Sequence, residues 1–112
     1  MREVSGEGCD IALVAENDRG EIVGEAYAAI LSQCDAEAAF VVRDGDQRHG
    51  VGTALLAAMV TALRSRGVTT LHAETAATNV PMLALFHAGD RPVRTRRFEG
   101  TVRVTMEIGS DP

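Results

Sequence analysis

The feature that most constrains the fold is a change of hydrophobic period between residues 37 and 66. Glu37–Val42 is a short, largely apolar run ending in Phe40-Val41-Val42. A run of this length and composition reads as a strand. Arg43–Gly50 is polar and carries two glycines. Beyond it, Val51, Leu55, Met59 and Leu63 recur every four residues, with Leu56 and Val60 beside them. That spacing lays one apolar stripe along a helix. The helix is expected over Val51–Arg66, with a cationic last turn at Arg64 and Arg66 and a glycine stop at Gly67.

The flanks of this unit read as strands. Ile11–Ala15 and Ile22–Leu31 are apolar runs separated by the turn residues Asn17-Asp18-Arg19-Gly20. Thr69–Thr75 is a further strand. Asn79 is a good helix N-cap, and Pro81 sits in the first turn of a short helix running to about His87. Pro92–Phe98 and Thr101–Ile108 form a last hairpin around Glu99-Gly100. The order is therefore β-β-β-α-β-α-β-β. A strand–helix–strand unit implies a parallel pair joined by a right-handed crossover, and the terminal hairpins imply antiparallel neighbours. The expected class is α+β: a mixed, mostly antiparallel sheet with a central parallel pair, flanked by helices. One domain spans 1–112, ordered over about 10–108, with the polar stretch Met1–Gly8 frayed.

Composition narrows the partners. The net charge is −5, which gives no general attraction to nucleic acid. All eleven basic side chains are Arg, a bias that genome composition alone can produce. Aromatic residues are only 4% and Trp is absent, so the core must be built from aliphatic side chains and Met. Cys9 and Cys34 form neither a CxxC pair nor a metal spacing. No apolar run reaches the roughly 18 residues of a membrane span, and no secretory pattern opens the chain. These readings point to a cytoplasmic protein with no membrane and no nucleic-acid partner.

The loop before the long helix carries the chemistry. The first N–H groups of a helix have no internal partner, and the helix dipole adds partial positive charge there. Gly50 and Gly52 remove side chains that would keep a phosphate away, and Arg48 adds a charge. The segment is not a Walker loop, since Gly-Lys-Ser/Thr is absent, and it lacks the third glycine of the dinucleotide-binding pattern. It does fit Q/R-x-x-G-x-G/A, as Gln47-Arg48-His49-Gly50-Val51-Gly52. This resembles the coenzyme A loop of the GNAT family of N-acetyltransferases. A second piece, Asn79-Val80-Pro81-Met82-Leu83-Ala84-Leu85-Phe86, is similar to that family's N-x-x-(A/M)-x-x-L-(Y/F) helix. The strand before the loop and the ending Arg96-Arg97-Phe98-Glu99-Gly100 resemble most the acetyltransferase domain of bacterial Pat-type protein lysine acetyltransferases.

The resemblance implies a site. The backbone of Phe40, Val41 and Val42 would pair with the pantetheine arm of acetyl-CoA, the expected co-substrate. Arg48, His49, Gly50, Val51, Gly52 and Thr53, with Gln47 opening the motif, would hold the pyrophosphate, and Asn79 would contact the cofactor near its pantetheine. Glu37 stands at the catalytic glutamate position. A base is needed because an acceptor lysine, with a pKa of about 10.4, is protonated at pH 7. A backbone N–H near Phe40 or Val41 would meet the thioester oxygen. Phe86 stands where many relatives carry a proton-donating Tyr. Tyr27 and Cys34 are local substitutes, each more readily explained as a structural residue. His72 and His87 have no partner at metal spacing, and no metal is expected. Arg91, Arg94, Arg96 and Arg97 read as a solvated strand face that also suits a 3′-phosphate or an acidic protein substrate.

Two departures from the family pattern bear on function. The usual domain begins with a strand and two helices, for which this chain leaves too few residues. The Gly-Phe expected after the second helix reads Ala88-Gly89-Asp90-Arg91. An exposed sheet edge and face favour a homodimer. The first functional reading is an acetyltransferase acting on a primary amine, such as a protein lysine. The alternative is a non-catalytic module that binds coenzyme A.

Overall fold

The structure, a computed structural model, describes residues 1–4, 8–43 and 50–109. Among these residues, seven strands and two helices follow one another as β1 (Arg2–Val4), β2 (Ile11–Glu16), β3 (Ile22–Ile30), β4 (Asp35–Val42), α1 (Val51–Arg64), β5 (Thr70–Ala76), α2 (Val80–His87), β6 (Val93–Phe98) and β7 (Thr101–Glu107). They form one sheet in the order β1-β2-β3-β4-β5-β7-β6. Only β4 and β5 are parallel, and their register covers Asp35↔Thr70, Ala36↔Leu71 and Glu37↔His72. β4 stays paired with β3 as far as Gly24↔Val42, and β5 with β7 as far as Ala76↔Thr101. Past the Glu37–His72 rung, β4 and β5 therefore part while each keeps its outer neighbour.

Register decides which side chains share a face, because they alternate along each strand. Ile11, Leu13, Ala26, Ala28, Ala36, Ala38, Leu71, Ala73, Val104 and Met106 lie on one face and are buried. α1 packs there through Leu55, Met59, Val60 and Leu63. α2 packs on the same face, with Phe86 against Phe40 at 5.8 Å and an interplanar angle of 75°. Both helices thus cover one side. Neither covers the opposite face, which carries Glu25, Tyr27, Asp35, Glu37, Ala39, Val41, His72, Glu74, Arg103 and Thr105.

Two details differ from the sequence pattern. The expected frayed start includes a strand: Arg2–Val4 pairs antiparallel with Ala12–Val14, so a first strand exists in three-residue form. Residues 5–10 are all that separates it from β2, too few for two helices. The helix α1 stops at Arg64 rather than Arg66. The Val68 N–H reaches the Leu63 carbonyl at 3.1 Å and the Gly67 N–H reaches the Arg64 carbonyl at 3.0 Å. Gly67 adopts φ 82°, completing a left-handed helix stop with buried Val68 against buried Leu63.

Candidate functional site

The site is built where β4 leaves β5. A cleft of about 920 Å³ opens there, lined by Phe40–Val42, Gly50, Gly52, Thr53, Asn79, Val80, Met82 and Leu85 among others. One wall is the free edge of β4. The floor is the start of α1, and the other wall is the start of α2.

The start of α1 suits an anion. Its N-cap, Gly50, takes φ 80° and ψ 4°, offers no side-chain cap, and no acidic residue stands in the first turn. The left-handed backbone at Gly50 is strained for any other residue. Gly52 lets α2 approach: a Cβ there would lie 3.3 Å from Leu85 Cδ2. The helix thus presents bare N–H donors at the positive end of its dipole. Across the cleft, the Asn79 side-chain oxygen accepts from the Met82 N–H at 3.3 Å, capping α2. Its NH2 group has no partner among the described residues.

The cleft therefore brings together Phe40, Val41, Val42, Gly50, Gly52, Thr53 and Asn79. Val51 is different. Its side chain turns into the core, where its Cγ1 lies 2.7 Å from the position a Gly24 Cβ would take. Gln47, Arg48 and His49 lie outside the described residues. Glu37 is half-buried on the uncovered face, at the last rung of the parallel pair.

Glu37 has neighbours that sequence spacing did not reveal. His72, its partner on β5, lies between two groups: Nε2 is 3.0 Å from Asp35 Oδ1, and Nδ1 is 3.1 Å from Thr105 Oγ1. Ser32 Oγ donates to the other Asp35 oxygen at 3.0 Å. The His72 bond, then the Ser32 bond, holds the Asp35 carboxyl below its usual range, against a smaller desolvation effect. These partners are 33 and 37 residues from His72 in sequence, so no local motif marks them.

Phe86 is buried and packed on Phe40. Tyr27 sits on the uncovered face opposite Ala39, and its hydroxyl donates to Glu25 Oε2. That bond raises the phenol above its ordinary value, making it a weaker acid. Cys34 is exposed at the opposite end of β4 from the cleft. Among the described residues no group of three His, Cys, Asp or Glu side chains is arranged to hold a metal ion.

A splayed parallel pair beside an uncapped helix start, within this strand order, defines the acyl-CoA N-acyltransferase fold. Residues 3–89 match the model of the acetyltransferase (GNAT) family, and the chain belongs to that family. Among solved structures, the GNAT domain of S. lividans PAT is 29% identical and superimposes with a TM-score of 0.74, over 87% of this chain and 60% of that one. The Escherichia coli ribosomal-protein-S18-alanine N-acetyltransferase is 24% identical, with a TM-score of 0.75 over 96% of this chain and 74% of its own. A GNAT superfamily phosphinothricin acetyltransferase (Pat) from Sinorhizobium meliloti, solved in complex with AcCoA, is 20% identical, with a TM-score of 0.74 over 88% of this chain and 61% of that one. The chain thus spans about three fifths of the S. lividans and Sinorhizobium chains. No curated protein matches it. No helix among the described residues is long and apolar enough to cross a membrane.

Proposed function

We propose that this domain moves an acetyl group from acetyl-CoA to a primary amine, and that the amine belongs to a protein lysine. The observation that carries the reading is the cleft itself, in which a free strand edge and an uncapped helix start meet. The strand edge suits the amide-bearing pantetheine arm, as an added strand would. The N–H groups from Gly50 onward suit the pyrophosphate. The relative solved with AcCoA supports the choice of ligand, and the S. lividans PAT domain supports Pat-type kinship.

In this reading Glu37 takes the proton that the acceptor ammonium must lose, directly or through water. The amine nitrogen then attacks the thioester carbon. A backbone N–H of Phe40 or Val41 stabilises the oxygen as it gains charge, and the C–S bond breaks. With Phe86 unable to donate, the thiolate leaves as the anion, and the attacking nitrogen gives its second proton to that thiolate or to water as the amide forms. The amine approaches from the uncovered face, where Glu37 lies, while coenzyme A enters from the cleft. The two free thiols support a cytoplasmic location. Homodimerisation through an edge strand, β1 or β6, belongs to the same reading, because it covers an edge and leaves the acceptor face open.

The test is Glu37→Gln, assayed by thiol release from acetyl-CoA with lysine peptides and by calorimetry for coenzyme binding. Loss of turnover by about 100-fold or more is expected, with coenzyme affinity retained. Unchanged turnover removes Glu37 from the mechanism.

A further inference from the structure

The uncovered sheet face is divided by charge. On β3, β4 and β5 it carries Glu25, Asp35, Glu37 and Glu74, while on β7 and β6 it carries Arg103, Arg94 and Arg96. At the seam, Arg103 Nη1 meets Glu74 Oε1 at 3.0 Å. Arg94 and Arg96 have no hydrogen bond or ion pair among the described residues. Glu107, farther along the same face of β7, pairs with neither.

Their placement is unfavourable by itself. Arg96 stands directly across from Arg103 in the β6–β7 ladder. Like charges at directly opposed positions destabilise a sheet. Arg103 is offset by Glu74, but Arg96 has nothing comparable. Charges on an edge strand do discourage unwanted pairing. That purpose does not require two arginines opposed on one face. An anion over Arg94 and Arg96 would relieve the repulsion.

The cleft that suits coenzyme A has no residue of β6 or β7 in its lining, so that ligand does not account for the pair. The lining comes from β4, from the start of α1 and from α2, with Phe40 and Val42 turned toward the helices. Arg94 and Arg96 share the opposite face with Glu37. What reaches that face in the proposed reaction is the acceptor. From β4 to β6 there are three strand spacings of about 4.8 Å, roughly 14 Å in all. An extended peptide covers that span with about four residues.

Resting on the acetyl-transfer reading, we propose that Arg94 and Arg96 bind an Asp or Glu side chain of the acceptor polypeptide, about four residues from the lysine presented to Glu37. Acceptor lysines would then be selected by an acidic residue at that distance. The cationic lysine meets the acidic half of the face, and the carboxylate meets the basic half.

The test uses single-lysine peptides differing only by Glu or Gln four residues to either side of the lysine. In thiol-release assays the Glu peptide is expected to be preferred by about 10-fold in kcat/KM, through KM, with the preference shrinking in 0.5 M salt. The double variant R94Q/R96Q is expected to bring the Glu/Gln ratio close to one. Fluorescence anisotropy with the same labelled peptides reads the arginine pair without turnover. If no peptide is acetylated, the transfer reading fails, and the anisotropy still judges the pair. Equal binding of the Glu and Gln peptides to the native protein overturns the proposal. So does loss of self-association in R94Q/R96Q, which would place the pair between two copies of the chain.

Discussion

Gly24 links the sheet to the cofactor cleft, and Gly24→Ala should disturb both. An added Cβ would lie 2.7 Å from Val51 Cγ1, 2.8 Å from Leu55 Cδ1 and 3.3 Å from the Val41 carbonyl oxygen. The Leu55 methyl can swing away at small cost. Val51 cannot, because a β-branched side chain in a helix is nearly confined to one rotamer. The first turn of α1 must therefore retreat by several tenths of an ångström. Overpacking of this kind costs about 1–3 kcal/mol. The loss of backbone freedom in the unfolded chain returns about 0.4–1 kcal/mol. A net loss near 1–2 kcal/mol remains, which lowers Tm by roughly 4–8 °C per kcal/mol for a domain of about this size. The retreating turn carries Gly52 and Thr53, which line the cleft. Acetyl-CoA affinity should fall by about three- to ten-fold, a change of up to about 1.4 kcal/mol. Thermal denaturation and calorimetry measure the two effects. Adding Val51→Ala removes the closest contact, so the double variant should lose less than the sum of the single losses. A Gly24→Ala protein with unchanged Tm and unchanged acetyl-CoA affinity refutes the argument that this close approach sets the position of α1.

Two further outcomes follow from side chains at the edges of the site. Asn79→Ala removes the cap on α2 and should cost about 1 kcal/mol in denaturant unfolding, together with a measurable loss of acetyl-CoA affinity; a loss of stability alone would separate Asn79 from the ligand. Asp35 has a lowered folded value, so its contribution to stability is complete above its ordinary value of 3.8 and disappears as pH falls through the folded value. Asp35→Asn should therefore lower Tm at pH 6, and the gap from the native protein should close in acid. A gap that stays constant with pH would show that the carboxylate charge is not what stabilises this corner.

How much of this could be read from the sequence depends on how local each cause is. The helix α1 is legible because Leu55, Met59 and Leu63 recur at a spacing that only a helix puts on one side. Its end was overrun by two residues because Ser65 and Arg66 belong to the turn that Gly67 closes, and composition does not separate such a turn from the helix before it. The strand β1 was missed because Arg2-Glu3-Val4 is short and polar, and its partner is β2 rather than anything in its own pattern. Gly50, Gly52 and Asn79 were legible as cleft residues because glycine and an N-cap Asn act through the backbone nearby. Val51 is expected in the same loop through its backbone N–H, while its side chain packs against the core beside Gly24, a contact that spacing does not show. The Asp35–His72–Thr105 chain joins three strands and leaves no trace in spacing.

The short parallel register has a mechanical consequence. The strands β1–β4 and β5–β7 form two plates, joined within the sheet at only Asp35↔Thr70, Ala36↔Leu71 and Glu37↔His72. The other joints between neighbouring strands, except those at β1, run for six or seven rungs. A load drawn across the sheet therefore concentrates on that seam, and the shared core under the helices carries the rest. Glu37 and His72 form the last rung of the seam, at the mouth of the gap. A molecule lodged in the gap ties the two halves together beyond those three rungs.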